Sequence, residues 1–392
     1  MRSDGMTQGS SERSSERTTE LMELAPAEVM AEYRAGRLDR RELLKLLGAI
    51  GLTAAAGPLL SQETAAEDEL AIIIWEGYAD PSFAKPWEDA NQAKIAATPA
   101  STGDEMFAAM KGSGGSTYDM VSASSDLPRR LYDAGLLMEI DPAKLTNYNQ
   151  LYDQFKKPPY ITFDDKLYGV NFAWGPTILL YSPEKVTTEP TSWKALVDEQ
   201  FKGKITTWNY PLQIAQYALL LDPKPADPFE LSDEQLAQVK DILIKQRPLI
   251  RKYWDLGGEV AELFKNGEVV IGDGWPWITL QIKGSNGAVA ESTPVEGVTG
   301  WSDSWCISKN AKNPDLALKW ADYMIGPEGQ AGVMKVLNYS VTNKDVIEKL
   351  PADRRKELRL DDVAAEYAKI HMWRFIPGYD KWVQVWQEAT AG

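Results

Sequence analysis

Ala71-Ile72-Ile73-Ile74-Trp75-Glu76-Gly77-Tyr78 is the stretch on which the reading of the fold turns. An apolar run this short, closed by an acid and a glycine, reads as a buried strand followed by a loop at its carboxyl end. Open α/β sheets collect their ligands at that end of their strands. Outward from it, the chain alternates short apolar runs with amphipathic segments, the pattern of an α/β protein. The pattern predicts a helix over 86–93, a strand over 94–97, a helix over 104–111 and a strand over 118–121. A loop over 122–126 follows, then a helix over 127–135 opened by Pro128, and strands over 167–174 and 177–181. A second lobe then supplies a strand over 204–207, helices over 211–221 and 231–246, and a strand over 269–272 that runs into Asp273-Gly274-Trp275-Pro276-Trp277. Residues 301–308 read as a strand returning to the first lobe, with a helix over 315–324 behind it.

Upstream of this ordered part, Asp39-Arg40-Arg41-Glu42-Leu43-Leu44-Lys45 leads into an apolar stretch rich in Gly and Ala that ends near Leu60. The paired arginines and the weakly apolar core resemble a twin-arginine export signal. A stretch interrupted by Lys45, Gly48, Gly51, Gly57 and Pro58 is poorly suited to stay in a bilayer, which calls for about 20 mostly apolar residues. Residues 1–66 are therefore read as an N-terminal extension and signal peptide, removed on export to the periplasm.

The full chain of 392 residues carries a formal charge of −15. Most of it falls after Ala66, because residues 1–66 hold 8 basic and 10 acidic side chains. An anionic surface argues against a nucleic-acid partner and mildly favours cationic ligands. One cysteine, Cys306, permits no internal disulfide, and one histidine, His371, rules out a centre built from several histidines. The chain has no Gly-x-Ser-x-Gly elbow, phosphate loop or His-Glu-x-x-His, so the expectation is a protein that is not an enzyme and needs no cofactor.

Aromatic residues stand beside acids at several strand ends: Trp75-Glu76-Gly77-Tyr78, Asp273-Gly274-Trp275 and Trp301-Ser302-Asp303. Binding a small cation strips its water; an aromatic face returns about 0.5–2 kcal/mol and a carboxylate supplies the rest. With 14 tryptophans many must fill cores, and Trp193, Trp320, Trp382 and Trp386 fall at helix or core positions.

The order of the parts from Ala71 onward resembles the extracellular solute-binding proteins of ABC importers, in particular the spermidine/putrescine-binding family. The resemblance is carried by Tyr118-Asp119-Met120-Val121, Leu131-Tyr132-Asp133-Ala134-Gly135-Leu136-Leu137 and Ile140-Asp141-Pro142-Ala143-Lys144-Leu145-Thr146-Asn147. Tyr168-Gly169-Val170, Trp174-Gly175, Thr191-Ser192-Trp193, Phe201-Lys202-Gly203-Lys204, Phe264-Lys265-Asn266-Gly267-Glu268, Trp301-Ser302-Asp303-Ser304 and Asn310-Ala311-Lys312-Asn313-Pro314 continue it. It implies a two-lobed α/β fold of the periplasmic-binding-protein type, with two crossover segments and a ligand cleft between lobes. The lobes would be 67–174 plus 302–350 and 175–301 plus 351–392. It also implies a monomer that delivers a small amine-bearing solute to an ABC permease in the inner membrane.

Ligand-contacting positions of that family fall here on Trp75, Tyr78, Ser124, Trp275, Trp301, Asp303 and Tyr339. The sequence departs from it where an acid pair is expected, with Tyr210 and Gln213 in place of the acids, and it places Glu76, Asp126 and Arg374 at three further site positions. Asp303 would anchor an ammonium, and Arg374 would pair with a carboxylate. The ligand is thus a polyamine such as putrescine or spermidine, or an amino-acid-like zwitterion. Two other classes are a ferric-iron receptor, for which the Tyr339 region lacks an adjacent tyrosine pair, and an exported hydrolase using Asp273 and Asp303.

Overall fold

In the computed structural model, which describes residues 68–391, the apolar run is strand β1 (Asp68–Ile74). The twin-arginine run and the 1–66 extension lie outside the described residues. Ile72, Ile73 and Ile74 are almost wholly buried, and each such side chain removed from water contributes about 2 kcal/mol. The helix after it, Pro81–Asn91, starts five residues before the sequence pattern indicated. Asp80 caps it by accepting from the Ser82 N–H at 2.9 Å, and Pro81 occupies the first turn, where its missing N–H costs nothing.

Strands β2 (Ala93–Pro99) and β3 (Met120–Ser124) lie parallel to β1, one on each side. Ser122 to Ser124 therefore belong to a buried strand, whereas their polarity suggested a loop. Their hydroxyls are used internally: Ser122 Oγ accepts from the Trp75 N–H at 3.0 Å, and Ser124 Oγ donates to Asp303 at 2.5 Å. Polar strand residues of this kind leave no apolar run in the sequence.

A small hairpin, β4 (Thr162–Phe163) and β5 (Lys166–Leu167), precedes β6 (Val170–Pro176). From β6 the chain passes through Thr177 into β7 (Ile178–Tyr181), the first strand of a second sheet. That sheet also takes β8 (Ile205–Trp208), β9 (Ile250–Trp254), β10 (Ile271–Gly274) and β11 (Ala290–Ser292), in the order β11-β7-β10-β8-β9. Strand β10 runs two residues later than the apolar pattern indicated, so Asp273 sits inside it rather than beyond its end.

The return is made by β12 (Val298–Ile307), which pairs antiparallel with both β3 and β6. With β13 (Ser340–Val341) and β14 (Ile370–Met372) the first sheet is complete, in the order β13-β6-β12-β3-β1-β2, β14 joining β12. The two crossings run side by side, tied by the Thr177 N–H to the Thr299 carbonyl at 2.8 Å. A third passage, after β14, leads to the helix Tyr379–Thr390. That helix meets the capped helix Asp233–Gln246 of the second half, with Lys240 paired to Glu388 and Lys381 to Asp233. The described residues thus form two α/β halves, each with its own sheet.

Core assignments made from the sequence fall as expected: Trp193, Trp320, Trp382 and Trp386 are buried, and so is Cys306. Burial also raises the Cys306 thiol pKa, which suits a packed small hydrophobe rather than a reactive thiolate.

Candidate ligand-binding site

Strand ends of both sheets converge on one cavity. From the first sheet come Trp75, Glu76 and Tyr78 after β1, Ser124 at the end of β3, and Trp301 and Asp303 in β12. Tyr339 and Trp373 join them from segments flanking β13 and β14. The second sheet brings Trp208 at the end of β8, Asp255, Leu256 and Gly257 after β9, and Trp275 after β10. Together they border about 440 Å³ of free space, a figure that includes open solvent at the mouth.

Gly77 makes the first turn possible. Its φ is +86°, and a Cβ there would lie 2.5 Å from Leu337 Cδ2, so only glycine lets the chain fold Tyr78 back under β1. Tyr78 then packs edge-on against Phe172 at 5.0 Å and donates its hydroxyl to Asp303 Oδ2. Ser124 Oγ donates to Asp303 Oδ1. The carboxylate is 2% exposed. Burial pushes its pKa up to about 7, against the two hydroxyl donors that pull it down, and the negative charge of Asp126 adds to the rise. The β6 register also shifts at Asp303/Ser304, a bulge in the strand pairing at this residue.

The walls are aromatic. Trp208 is their hub: it stacks on Trp254 at 5.8 Å and on Trp373 at 5.4 Å, and meets Trp275 edge-on at 5.2 Å and Trp75 at 6.1 Å. The Trp75–Trp208 contact joins the two sheets. Trp301 lies 4.4 Å from Tyr339, and it fits because residue 175 is glycine: a Cβ there would come within 2.9 Å of the Trp301 ring.

Glu76 crosses the cavity as well. Its Oε2 accepts from the Gly258 N–H at 3.4 Å, at the start of the helix Gly257–Lys265. Burial raises its pKa, and the backbone N–H groups of Gly258 and Gly257 oppose that rise.

Four residues singled out from the sequence do not line this cavity. Asp126 accepts from the Tyr210 hydroxyl at 3.1 Å, a contact between the loop after β3 and the loop after β8. Burial takes its pKa to about 7 even though the Arg130 guanidinium nearby pulls it down. Gln213 donates to Asp273 instead of facing a ligand. Arg374 is paired with Asp227 at 2.7 Å and Glu230 at 2.6 Å, and lines a separate open groove with Arg129, Tyr160 and Phe375. The expected carboxylate partner is therefore committed to two of the protein's own acids, because the segment after β14 turns it away from Asp303.

Asp273 is fully buried within the second sheet and absent from the cavity lining. It accepts from the Thr207 hydroxyl, the Trp208 N–H, the side chains of Gln213 and Gln216, and the Trp254 indole. The Asp273–Asp303 pair required by a hydrolytic reading is not assembled. Conversely, sequence reasoning missed Trp208, Asp255 and Trp373. Trp254-Asp255 repeats the acid-beside-aromatic signature, but β9 was not recognised because Ile250-Arg251-Lys252-Tyr253-Trp254 breaks its apolar run with two cations.

Residues 82–358 match the family described as bacterial extracellular solute-binding protein. The spermidine/putrescine-binding periplasmic protein of Salmonella typhimurium is 24% identical over 297 residues, 74% of this chain and 83% of that protein. The putrescine/agmatine-binding protein of Pseudomonas aeruginosa is 24% identical over 330 residues, 80% of this chain and 86% of that protein. A solved structure from Listeria monocytogenes, described as a candidate spermidine/putrescine ABC transporter, superposes with a TM-score of 0.73 at 21% identity. It covers 83% of this chain and 99% of its own, and so shares the fold.

Proposed function

The chain belongs to the bacterial extracellular solute-binding protein family, and on that premise we propose that it captures a polyamine of the putrescine or spermidine class for an ABC importer. The single observation that carries this reading is the sign of the cavity. Its charged lining residues are Glu76, Asp255 and Asp303, all acids, with no Lys, Arg or His among them. Seven aromatic side chains, Trp75, Tyr78, Trp208, Trp275, Trp301, Tyr339 and Trp373, line it. An ammonium entering this space trades its water for carboxylates and ring faces, whereas a ligand carboxylate meets only like charge. The zwitterionic reading depended on Arg374 facing the cavity, and the ion pairs of Arg374 to Asp227 and Glu230 remove that support.

The protein works as a non-catalytic, monomeric receptor. One lobe is built on the first sheet, which takes β6 through Pro176, β12 from Val298 and β14, and the other on the second sheet. Ligand bridges them and shifts the population toward a closed form, with the hinge at the crossings near Thr177 and Val298. The permease in the inner membrane engages that closed form. Export to the periplasm uses the Arg40-Arg41 signal.

Thermal-shift and calorimetric titration of the purified chain with putrescine, spermidine, 4-aminobutanoate and ferric iron tests the reading. Saturable stabilisation by the polyamines supports it, since a ligand at about one hundred times its Kd adds about 2.7 kcal/mol. Stabilisation by iron or 4-aminobutanoate, with none by either polyamine, refutes it.

A further inference from the structure

Glu76 belongs to the first sheet and the helix Gly257–Lys265 to the second half, yet the carboxylate of one fills the terminus of the other. The helix's own first-turn acid, Glu259, turns back onto the Asp255 N–H at 3.2 Å and leaves the Gly258 N–H to Glu76. Leu256 at its N-cap has no side-chain acceptor, and the next two residues, Gly257 and Gly258, leave their amides uncovered. Asp255, Leu256 and Gly257 all line the cavity, so this helix end opens onto the ligand space. Oriented N–H groups and about half a positive charge make such an end attractive to a carboxylate. In this protein the carboxylate is already supplied from across the cavity.

A second observation points to a ligand between the two poles. Tyr339 is 4% exposed, lines the cavity, and its hydroxyl makes no hydrogen bond to any described residue. It feels the charges of both Asp303 and Glu76. A hydroxyl that faces the cavity without a protein partner is free to bond a bound molecule.

We infer that Glu76 is a specificity-determining residue: it occupies the helix terminus where an acid-bearing amine would seat its carboxylate, and so keeps both ends of the cavity negative. Asp303 then takes one ammonium and the Glu76 end the other, with Tyr339 between them. A diamine is accepted and the amino acid of equal length is turned away. This rests on the reading of the cavity as an amine site.

The test uses the purified full chain and a matched ligand pair, 1,4-diaminobutane and 4-aminobutanoate, which differ only in the group at one end. Calorimetry gives the ratio of their dissociation constants for the wild type, Glu76→Ala and Glu76→Gln. Glu76→Ala should gain 4-aminobutanoate affinity by about tenfold or more, since the freed terminus can now take the ligand acid. Glu76→Gln keeps an acceptor on the helix but drops the charge, so it should weaken the diamine without that gain. A wild type that binds the diamine, with no gain of 4-aminobutanoate binding in Glu76→Ala, overturns the role of Glu76 alone. A wild type that binds neither ligand overturns the amine reading and this inference with it. Native-like near-ultraviolet circular dichroism of Glu76→Gln and Glu76→Ala guards against loss of fold as the cause.

Discussion

The Tyr78 hydroxyl donates to the carboxylate of Asp303, although 225 positions separate the two residues in sequence. Strand β1 delivers one and β12 the other, and β3, lying between them, adds Ser124 to the same carboxylate. Both oxygens of Asp303 are thereby oriented before any ligand arrives, and preorganisation of this kind lowers the ordering cost of binding.

Replacing Asp303 by Asn keeps the shape and removes the charge. Diamine binding should weaken by about 1.5–3 kcal/mol, the range for a hydrogen bond to a charged group. Tyr78→Phe should cost less, because Ser124 still holds one oxygen. Titration calorimetry reads both, and an Asp303→Asn protein with wild-type affinity would take Asp303 out of the ligand site.

Arg374 invites the opposite expectation. Its guanidinium is 40% exposed and paired with Asp227 and Glu230 outside the cavity. Arg374→Ala should change diamine affinity by less than about twofold and stability by less than about 1 kcal/mol. A tenfold change in affinity would mean that the segment after β14 turns inward when ligand binds.

Asp273 is structural by the same criterion. Five donors converge on it in the second sheet. Asp273→Ala orphans all of them in a dry interior, and a loss of about 3 kcal/mol or more is expected in urea unfolding. Asp273→Asn, which retains one acceptor oxygen, should recover part of it. A stable Asp273→Ala protein would show that water reaches this part of the sheet.

The sequence made the first sheet and the acid-beside-aromatic strand ends legible because both are local patterns. Ile72 to Ile74 announce a buried strand on their own, and Trp75-Glu76 and Trp301-Ser302-Asp303 carry their chemistry within three residues. Trp208 and Trp373 were not legible as site residues. Each enters the cavity only through long-range stacking, Trp208 upon Trp254 and Trp373 upon Trp208. Arg374 misled for a related reason: residue type suggested a role, but its direction is set by how the chain leaves β14, and by the acids 227 and 230 that meet it there. Ser122 to Ser124 misled by polarity alone, since a strand whose hydroxyls bond inward looks like a loop in one dimension.

In the proposed amine site, Asp303 would also tie ligand capture to pH. Burial raises its pKa from 3.8 to about 7 in the folded protein. Between those values the folded state holds a proton that the unfolded state has released. Unfolding therefore releases a proton, and stability of the ligand-free protein falls as pH rises from about 4 to about 7, then levels. Asp126, with its pKa likewise taken to about 7, acts in the same direction. An ammonium prefers the ionised carboxylate, so binding below pH 7 expels the proton, and diamine affinity should rise by up to about tenfold per unit until the plateau near pH 7. The two slopes are opposite in sign and share one group, which separates them from general charge effects. Asp303→Asn should flatten the Asp303 share of the ligand-free stability slope and abolish the affinity slope, while Asp126→Asn should reduce only the first by a similar amount. Melting midpoints and dissociation constants at pH 5, 6, 7 and 8 decide it: an affinity slope that survives in Asp303→Asn would assign the proton to another carboxylate of the cavity, Glu76 first among them.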